Sequence, residues 1–265
     1  MRVKFSQAYK KNNFFIWGRL FSSSSLIHSS IYSFTHFISV SKNKLYKFGQ
    51  LAVFPNVYQN HDSDHDFVTD CHGEAVDIKG KWDSHHFKNG NPITLELACG
   101  GGEYTLGLAR MYPDRNFIGI DIKGARIWKG ARVAIAESLE NVAFCRMRID
   151  HITKFFAPGE VAEIWITFPD PFLKKARKRL TSPMFLPRYR EILPTGAKIN
   201  LKTDDPTLYE YTLEVIEAEK LILEYQNDDI YAGELPCPEL GIQTFYEEMH
   251  LENKKTIKYV RFRLD

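Results

Sequence analysis

Leu95-Glu96-Leu97-Ala98-Cys99-Gly100-Gly101-Gly102-Glu103-Tyr104 is the stretch whose reading decides the fold. An apolar run that begins at Ile93 reads as a buried strand, three glycines break it, and Tyr104, Leu106, Leu108 and Ala109 then recur as an amphipathic helix. A strand, a glycine turn and a helix make a cradle for a nucleotide-like ligand. Glycine lets the backbone approach closely, and a helix N-terminus presents free N–H groups. The dinucleotide fingerprint fails, because Thr105 stands at the third glycine position. Glu96, inside the strand, sharpens the reading. A carboxylate there suits a diphosphate poorly and suits a ligand bearing an ammonium and a sulfonium well, so S-adenosylmethionine is the expected cofactor, with Gly100 and Gly102 in its cradle.

Downstream, apolar strands alternate with helical patterns, as in a parallel sheet covered by helices. Strands are expected at Ile93 to Cys99, Asn116 to Ile120, Val142 to Ile149, Val161 to Thr167, Ala197 to Lys202, Leu221 to Tyr225 and Ile257 to Leu264, with helices from about Gly124 to Leu139 and from about Pro206 to Ala218. The fold class is α/β: a doubly wound, mostly parallel, seven-stranded sheet of Rossmann-like type, whose ligands sit at the carboxyl ends of the strands near the switch point.

Upstream the composition changes. The chain has 265 residues, 44% of them hydrophobic, and a net charge of +2, so a nucleic-acid surface must come from local clustering and not from bulk charge. Residues 1–40 carry Arg2, Lys4, Lys10, Lys11 and Arg19 among Phe, Ser and Ile, and the first acidic residue is Asp62. Such a segment resembles an organellar transit peptide, while a bacterial start at Val40 would make it an upstream stretch read as protein. Either way it reads as a non-globular extension. Residues 41–81 read as an arm and polar linker, and 82–265 as the main domain. The His/Asp-rich run from His61 to His72 lacks the spacing of a zinc site, and no metal is expected. Four cysteines without close spacing fit a reducing, cytoplasmic setting, and no apolar run is long enough to span a membrane.

Three constellations carry chemistry. Asp121 ends the second strand about twenty residues after the glycines, where a carboxylate can accept both hydroxyls of a ribose. Asp150, just past the third strand, can accept from an adenine amino group. Each alone is commonly a cap or turn residue, but with Glu96 they mark the mouth of one sheet. The fourth strand ends in Thr167-Phe168-Pro169-Asp170-Pro171-Phe172-Leu173-Lys174, beside the first strand at the switch point, so Asp170 lies next to the cofactor and its flanking prolines aim it. Lys174, Lys175, Arg177, Lys178 and Arg179 put five cations into six residues on that edge, which reads as a phosphate-binding patch. Arg188, Tyr189 and Arg190 can extend it.

Glu96-x-Ala98-Cys99-Gly100-Gly101-Gly102-Glu103-Tyr104-Thr105, Gly119-Ile120-Asp121, Pro169-Asp170-Pro171, Arg179-Leu180-Thr181, Lys202-Thr203-Asp204 and Thr244-x-x-Glu247 follow one another in an order and spacing that resembles the bacterial tRNA (guanine-N7-)-methyltransferases, over about residue 41 to the end. The resemblance implies a class I methyltransferase fold and methylation of a variable-loop guanosine in tRNA. By motif, it implies that Glu96, Asp121, Asp150 and Asp170 meet the cofactor and that Asp170 is also the catalytic position. It implies further that Lys174, Asp204, Thr244, Phe245, Tyr246 and Glu247 meet the guanosine, while Lys175, Arg177, Lys178 and Arg179 hold the tRNA backbone. Ala98 stands where that family usually has glycine, and Phe172-Leu173 replace its common Trp-Pro. Thr244-x-x-Glu247 also has the form of a helix capping box.

Guanine N7 carries an in-plane lone pair and no proton, so no general base is needed, and alignment is the work left to the protein. Asp170 either holds the base by its N1–H and exocyclic amine or stabilises the cationic product. Two other readings compete. One is an exocyclic-amine nucleic-acid methyltransferase, against which the proline before Asp170 argues. The other is a non-catalytic RNA-binding module on the same fold, against which the intact Glu96, Asp121 and Asp170 argue.

Overall fold

The structure, a computed structural model, describes residues 43–264, so the expected N-terminal extension lies outside the described residues. A helix over residues 43–51, α1, leads into a meander of short strands, β1 (Val57–Gln59), β2 (Val68–Thr69) and β3 (Ala75–Val76). There follow β4 (Ile93–Leu97), α2 (Glu103–Met111), β5 (Asn116–Asp121), α3 (Gly124–Ala136), β6 (Val142–Arg146), β7 (Val161–Thr167), α4 (Leu186–Ile192), β8 (Lys198–Thr203), α5 (Pro206–Ala218), β9 (Ile222–Asn227), α6 (Phe245–Glu252) and β10 (Lys258–Arg263).

The strands form one sheet in the order β3-β2-β1-β6-β5-β4-β7-β8-β10-β9. Its centre, β6-β5-β4-β7-β8, is parallel throughout. β10 enters antiparallel between β8 and β9. The chain winds outward from β4 in both directions, so the switch point lies between β4 and β7, where the sequence places it.

Among the described residues the sheet has ten strands, not seven, because β1 pairs in parallel with β6 and carries β2 and β3 with it. The segment read as arm and linker therefore extends the sheet. Its acidic residues serve turns: Asp62 accepts from the Asp64 N–H, and Asp70 from those of His72 and Glu74. Among the described residues no cluster of His, Cys, Asp and Glu could hold a metal ion, and no helix is long and apolar enough to cross a membrane.

Alternation along the strands gives each face its own core. Leu95, Leu97, Ile118, Ile120, Ile164, Ile166, Ile199 and Leu201 pack on one side. Phe117, Phe144, Trp165 and Tyr259 meet the apolar faces of α2 and α3 on the other. The second packing is close enough to require glycine: a Cβ on Gly102 would lie 2.5 Å from the Phe144 ring, and one on Gly130 would lie 2.6 Å from the Gly101 carbonyl. α5 begins with Asp205 accepting from the Leu208 N–H at 2.7 Å and Pro206 in its first turn, a start that satisfies orphan donors.

Candidate active site

The carboxyl ends of β4, β5, β6 and β7 open into a cavity of about 450 Å³. Asp121, Asp150 and Asp170 line it together, with Ala98, Met147, Ile149, Phe168 and Phe185 supplying apolar wall. Three carboxylates from three strand ends thus meet at one mouth, as the alternation of elements predicts.

Asp121 closes β5 and is buried. Its Oδ2 accepts from the Gly100 N–H at 3.1 Å and its Oδ1 from the Lys123 N–H at 2.7 Å. The carboxylate thereby ties the glycine turn to the start of α3 and keeps a further lone pair on each oxygen. Asp150 is gripped by Arg148, whose Nε and Nη2 donate at 3.1 and 2.6 Å, and that hydrogen bonding holds the Asp150 carboxyl below its ordinary pKa.

Glu96 behaves differently. It is 2% exposed and is not part of the cavity lining. Its Oε2 accepts from the backbone N–H and hydroxyl of Thr105, and its Oε1 from the Thr167 hydroxyl at 2.5 Å. The side chain joins β4, α2 and β7 beneath the glycine turn. Burial lifts its pKa to about 7, against the pull of those hydrogen bonds. Gly100 and Gly102 adopt φ of +56° and +75°, and Ala98, just before them, adopts +60°. Gly102 serves the contact with Phe144, and neither glycine lines the cavity. At Ala98 the methyl group sits in left-handed backbone that disfavours a Cβ.

Asp170 is exposed at the end of β7, with its Oδ1 accepting from the Phe172 N–H at 2.9 Å. Phe168 and Phe172 flank it with φ of +46° and +41°. Bulky residues hold such angles only where the surroundings enforce them. Two anchors do so: the Phe168 N–H donates to the Lys202 carbonyl at 2.8 Å, and Arg179 Nε donates to the Pro171 carbonyl at 2.8 Å.

The cationic run is therefore split by the fold. Lys174, Lys175, Arg177 and Lys178 are exposed, and Lys178 lines the cavity. Arg179 is 5% exposed, with its guanidinium 4.4 Å from the Tyr211 ring centre. The expectation that Arg179 meets tRNA phosphate is corrected accordingly: its charge is turned into the protein to hold the loop of Asp170. Tyr189 is core, donating to the Leu180 carbonyl.

The residues matched to guanosine contacts divide in the same way. Phe245 and Tyr246 are exposed at the start of α6. Thr244 is buried and caps that helix, accepting from the Glu247 N–H at 3.2 Å, and Glu247 is fully buried against Lys202. Asp204 pairs with His250 at 3.3 Å and Lys255 at 2.6 Å. Phe168 stacks on His250 with ring centres 6.0 Å apart, which connects this end of α6 to the loop of Asp170. Thr244 and Glu247 thus build the C-terminal element instead of opening onto the cavity. Lining residues that the motifs did not single out include Lys123, Arg126 and Arg148. Lys123 and Arg148 come to the mouth as near neighbours of Asp121 and Asp150, and Arg126 comes with the first turn of α3.

The chain matches the model of a family described as "Putative methyltransferase" over residues 90–260. It is 48% identical to the tRNA (guanine-N(7)-)-methyltransferase of Bacteroides fragilis over 225 residues, 85% of this chain and 87% of that protein. It is 36% identical to the protein of the same name from Bacillus subtilis over 175 residues, 65% of this chain and 80% of that one. Among solved structures, the 16S rRNA methyltransferase KamB superposes with a TM-score of 0.55 at 13% identity, over 72% of this chain and 95% of that one, a likeness of fold.

Proposed function

The chain belongs to the tRNA (guanine-N(7)-)-methyltransferase family, and from that premise we propose that it methylates N7 of a variable-loop guanosine in tRNA, using S-adenosylmethionine, in a cytoplasmic setting. The observation that carries the reading is the convergence of Asp121, Asp150 and Asp170 on one cavity at the switch point.

The residues present fit the cofactor. Asp121 has acceptor capacity left for two ribose hydroxyls, Asp150 is an acceptor for an exocyclic amine, and Met147, Ile149 and Phe168 offer apolar wall to a purine. When bound, S-adenosylmethionine supplies an electrophilic methyl group. The protein supplies placement. Asp170, exposed at the cavity edge, provides negative charge where the purine becomes cationic, and its anchored loop keeps that charge from drifting. Phe245 and Tyr246 provide exposed aromatic faces on which a base can stack. Lys174, Lys175, Arg177 and Lys178 provide charge for phosphate.

The test uses a tRNA with 7-deazaguanosine at the target position. It keeps the Watson–Crick edge and replaces the nucleophile with C–H. It binds with near-normal affinity and accepts no methyl group. Methylation at the substituted nucleotide would transfer the assignment to an exocyclic amine.

A further inference from the structure

A second cationic surface lies on α3 and the adjoining α1, separate in sequence from the run at Lys174 to Lys178. Arg126, Lys129 and Arg132 recur every three residues, which sets them along one ridge about 9 Å long. Lys129 is neutralised by Glu103 at 2.7 Å. Arg126, Arg132 and Lys47 pair with no carboxylate among the described residues and lie against aromatic rings instead. The Lys47 Nζ and the Arg132 guanidinium each sit 4.8 Å from the centre of the Trp128 ring, and the Arg126 guanidinium sits 5.9 Å from that of Tyr246. Trp128 is itself held by its indole N–H donating to Gln50 of α1 at 2.7 Å.

Two cations gathered on one indole repel each other, and the ring offsets that repulsion only in part. An anion arriving from outside removes the repulsion and finds donors already positioned. Arg126 and Lys123 also line the cavity whose rim carries Lys178, so the ridge continues from the site and does not stand apart from it. A polyanion that places one base in the cavity has its neighbouring phosphates within reach of both cationic surfaces.

We infer that α1 and α3 form a second contact for the tRNA backbone, in which Lys47 and Arg132, gathered on Trp128, take phosphates on the α3 side of the cavity mouth. This inference rests on the reading of the chain as a tRNA methyltransferase. The contact is to phosphate and not to base edges, because Lys47 and Arg132 offer charged donors and no acceptor of their own, and so it contributes affinity without sequence preference.

The experiment compares the full chain with Lys47→Ala/Arg132→Ala in tRNA binding across a salt series, with S-adenosylmethionine binding as the check on the fold. Neither residue lines the cavity, so cofactor affinity stays as in the parent protein. The salt slope falls by about two, one for each phosphate contact removed, and at low salt tRNA binds several-fold to about ten-fold more weakly. Arg132→Gln keeps the stem over Trp128 and lowers the slope by about one, which preserves the test if the double variant is poorly folded. A parent protein that methylates tRNA, with variants of unchanged slope and affinity, would overturn this inference alone. A parent protein that neither binds nor methylates tRNA would overturn the underlying reading with it.

Discussion

Lys202 and Glu247 form an ion pair in which Nζ and Oε1 are 2.7 Å apart and both side chains are fully buried. Lys202 also donates to the carbonyls of Leu240 and Ile242 at 2.8 and 3.0 Å, and the Tyr231 hydroxyl donates to Glu247 at 2.7 Å. Burial pulls the Lys202 pKa down while Glu247 pulls it back up. Lys202 thereby fastens the first turn of α6 and the segment before it to β8. Glu247→Ala strands the ammonium and lowers stability by about 3–5 kcal/mol in chemical denaturation, whereas Lys202→Met/Glu247→Leu recovers most of that loss. Full stability with methylation abolished would return Glu247 to the substrate.

Glu96 makes stability depend on pH. Its folded pKa of about 7 lies above its ordinary 4.5, so between these values the folded state holds more protons than the unfolded one. The resulting stabilisation is fully present below the lower value and is lost as pH rises through the upper one, a change of up to about 3 kcal/mol. Glu96→Gln keeps acceptors and donors for Thr105 and Thr167 without the charge. The stability difference between Glu96→Gln and the parent therefore grows in favour of the variant as pH rises, and equal slopes in denaturation across this window would contradict the assignment.

Asp121→Ala removes the acceptor of the Gly100 and Lys123 N–H groups together with that proposed for the ribose. S-adenosylmethionine binding weakens by about 1–3 kcal/mol in calorimetry. Unchanged affinity would move the ribose elsewhere in the cavity.

Arg179 separates from its neighbours by experiment. Arg177→Ala/Lys178→Ala lowers the salt slope of tRNA binding by about two. Arg179→Ala leaves that slope unchanged, because its charge is already spent on the Pro171 carbonyl and the Tyr211 ring, and it lowers turnover by loosening the loop of Asp170. A lower slope for Arg179→Ala would put its guanidinium back on the surface.

Much of the candidate site's layout was legible because a parallel sheet sends the end of every strand to one edge, so the meeting of Asp121, Asp150 and Asp170 at one cavity could be gathered from strand boundaries alone. What the residue types do not carry is direction. Glu96, Arg179 and Glu247 have the charge expected of ligand contacts, yet each points into protein, because each finds a partner (Thr167, Tyr211 and Lys202 in turn) on an element distant in sequence. The strands β1 to β3 escaped for another reason. At two or three residues each they are too short to show alternation, and β1 owes its pairing to β6 and not to any pattern of its own. Thr244 was legible as a cap, since the capping box is a local signal.

The position of β10 bears on how the chain is made. Among the described residues β9 touches the sheet only through β10, and β10 is the later of the two in sequence. During synthesis β8 is therefore left with an open edge, and β9 with nothing to pair with, until residues 258–263 have cleared the ribosome. The segment Leu240 to Glu247, held from beneath by Lys202, emerges in that same interval. A nascent chain stalled before Lys258 retains the parallel centre with the carboxylates of its cavity but exposes the β8 edge to pairing with other chains, so any ribosome pausing there carries a risk of aggregation.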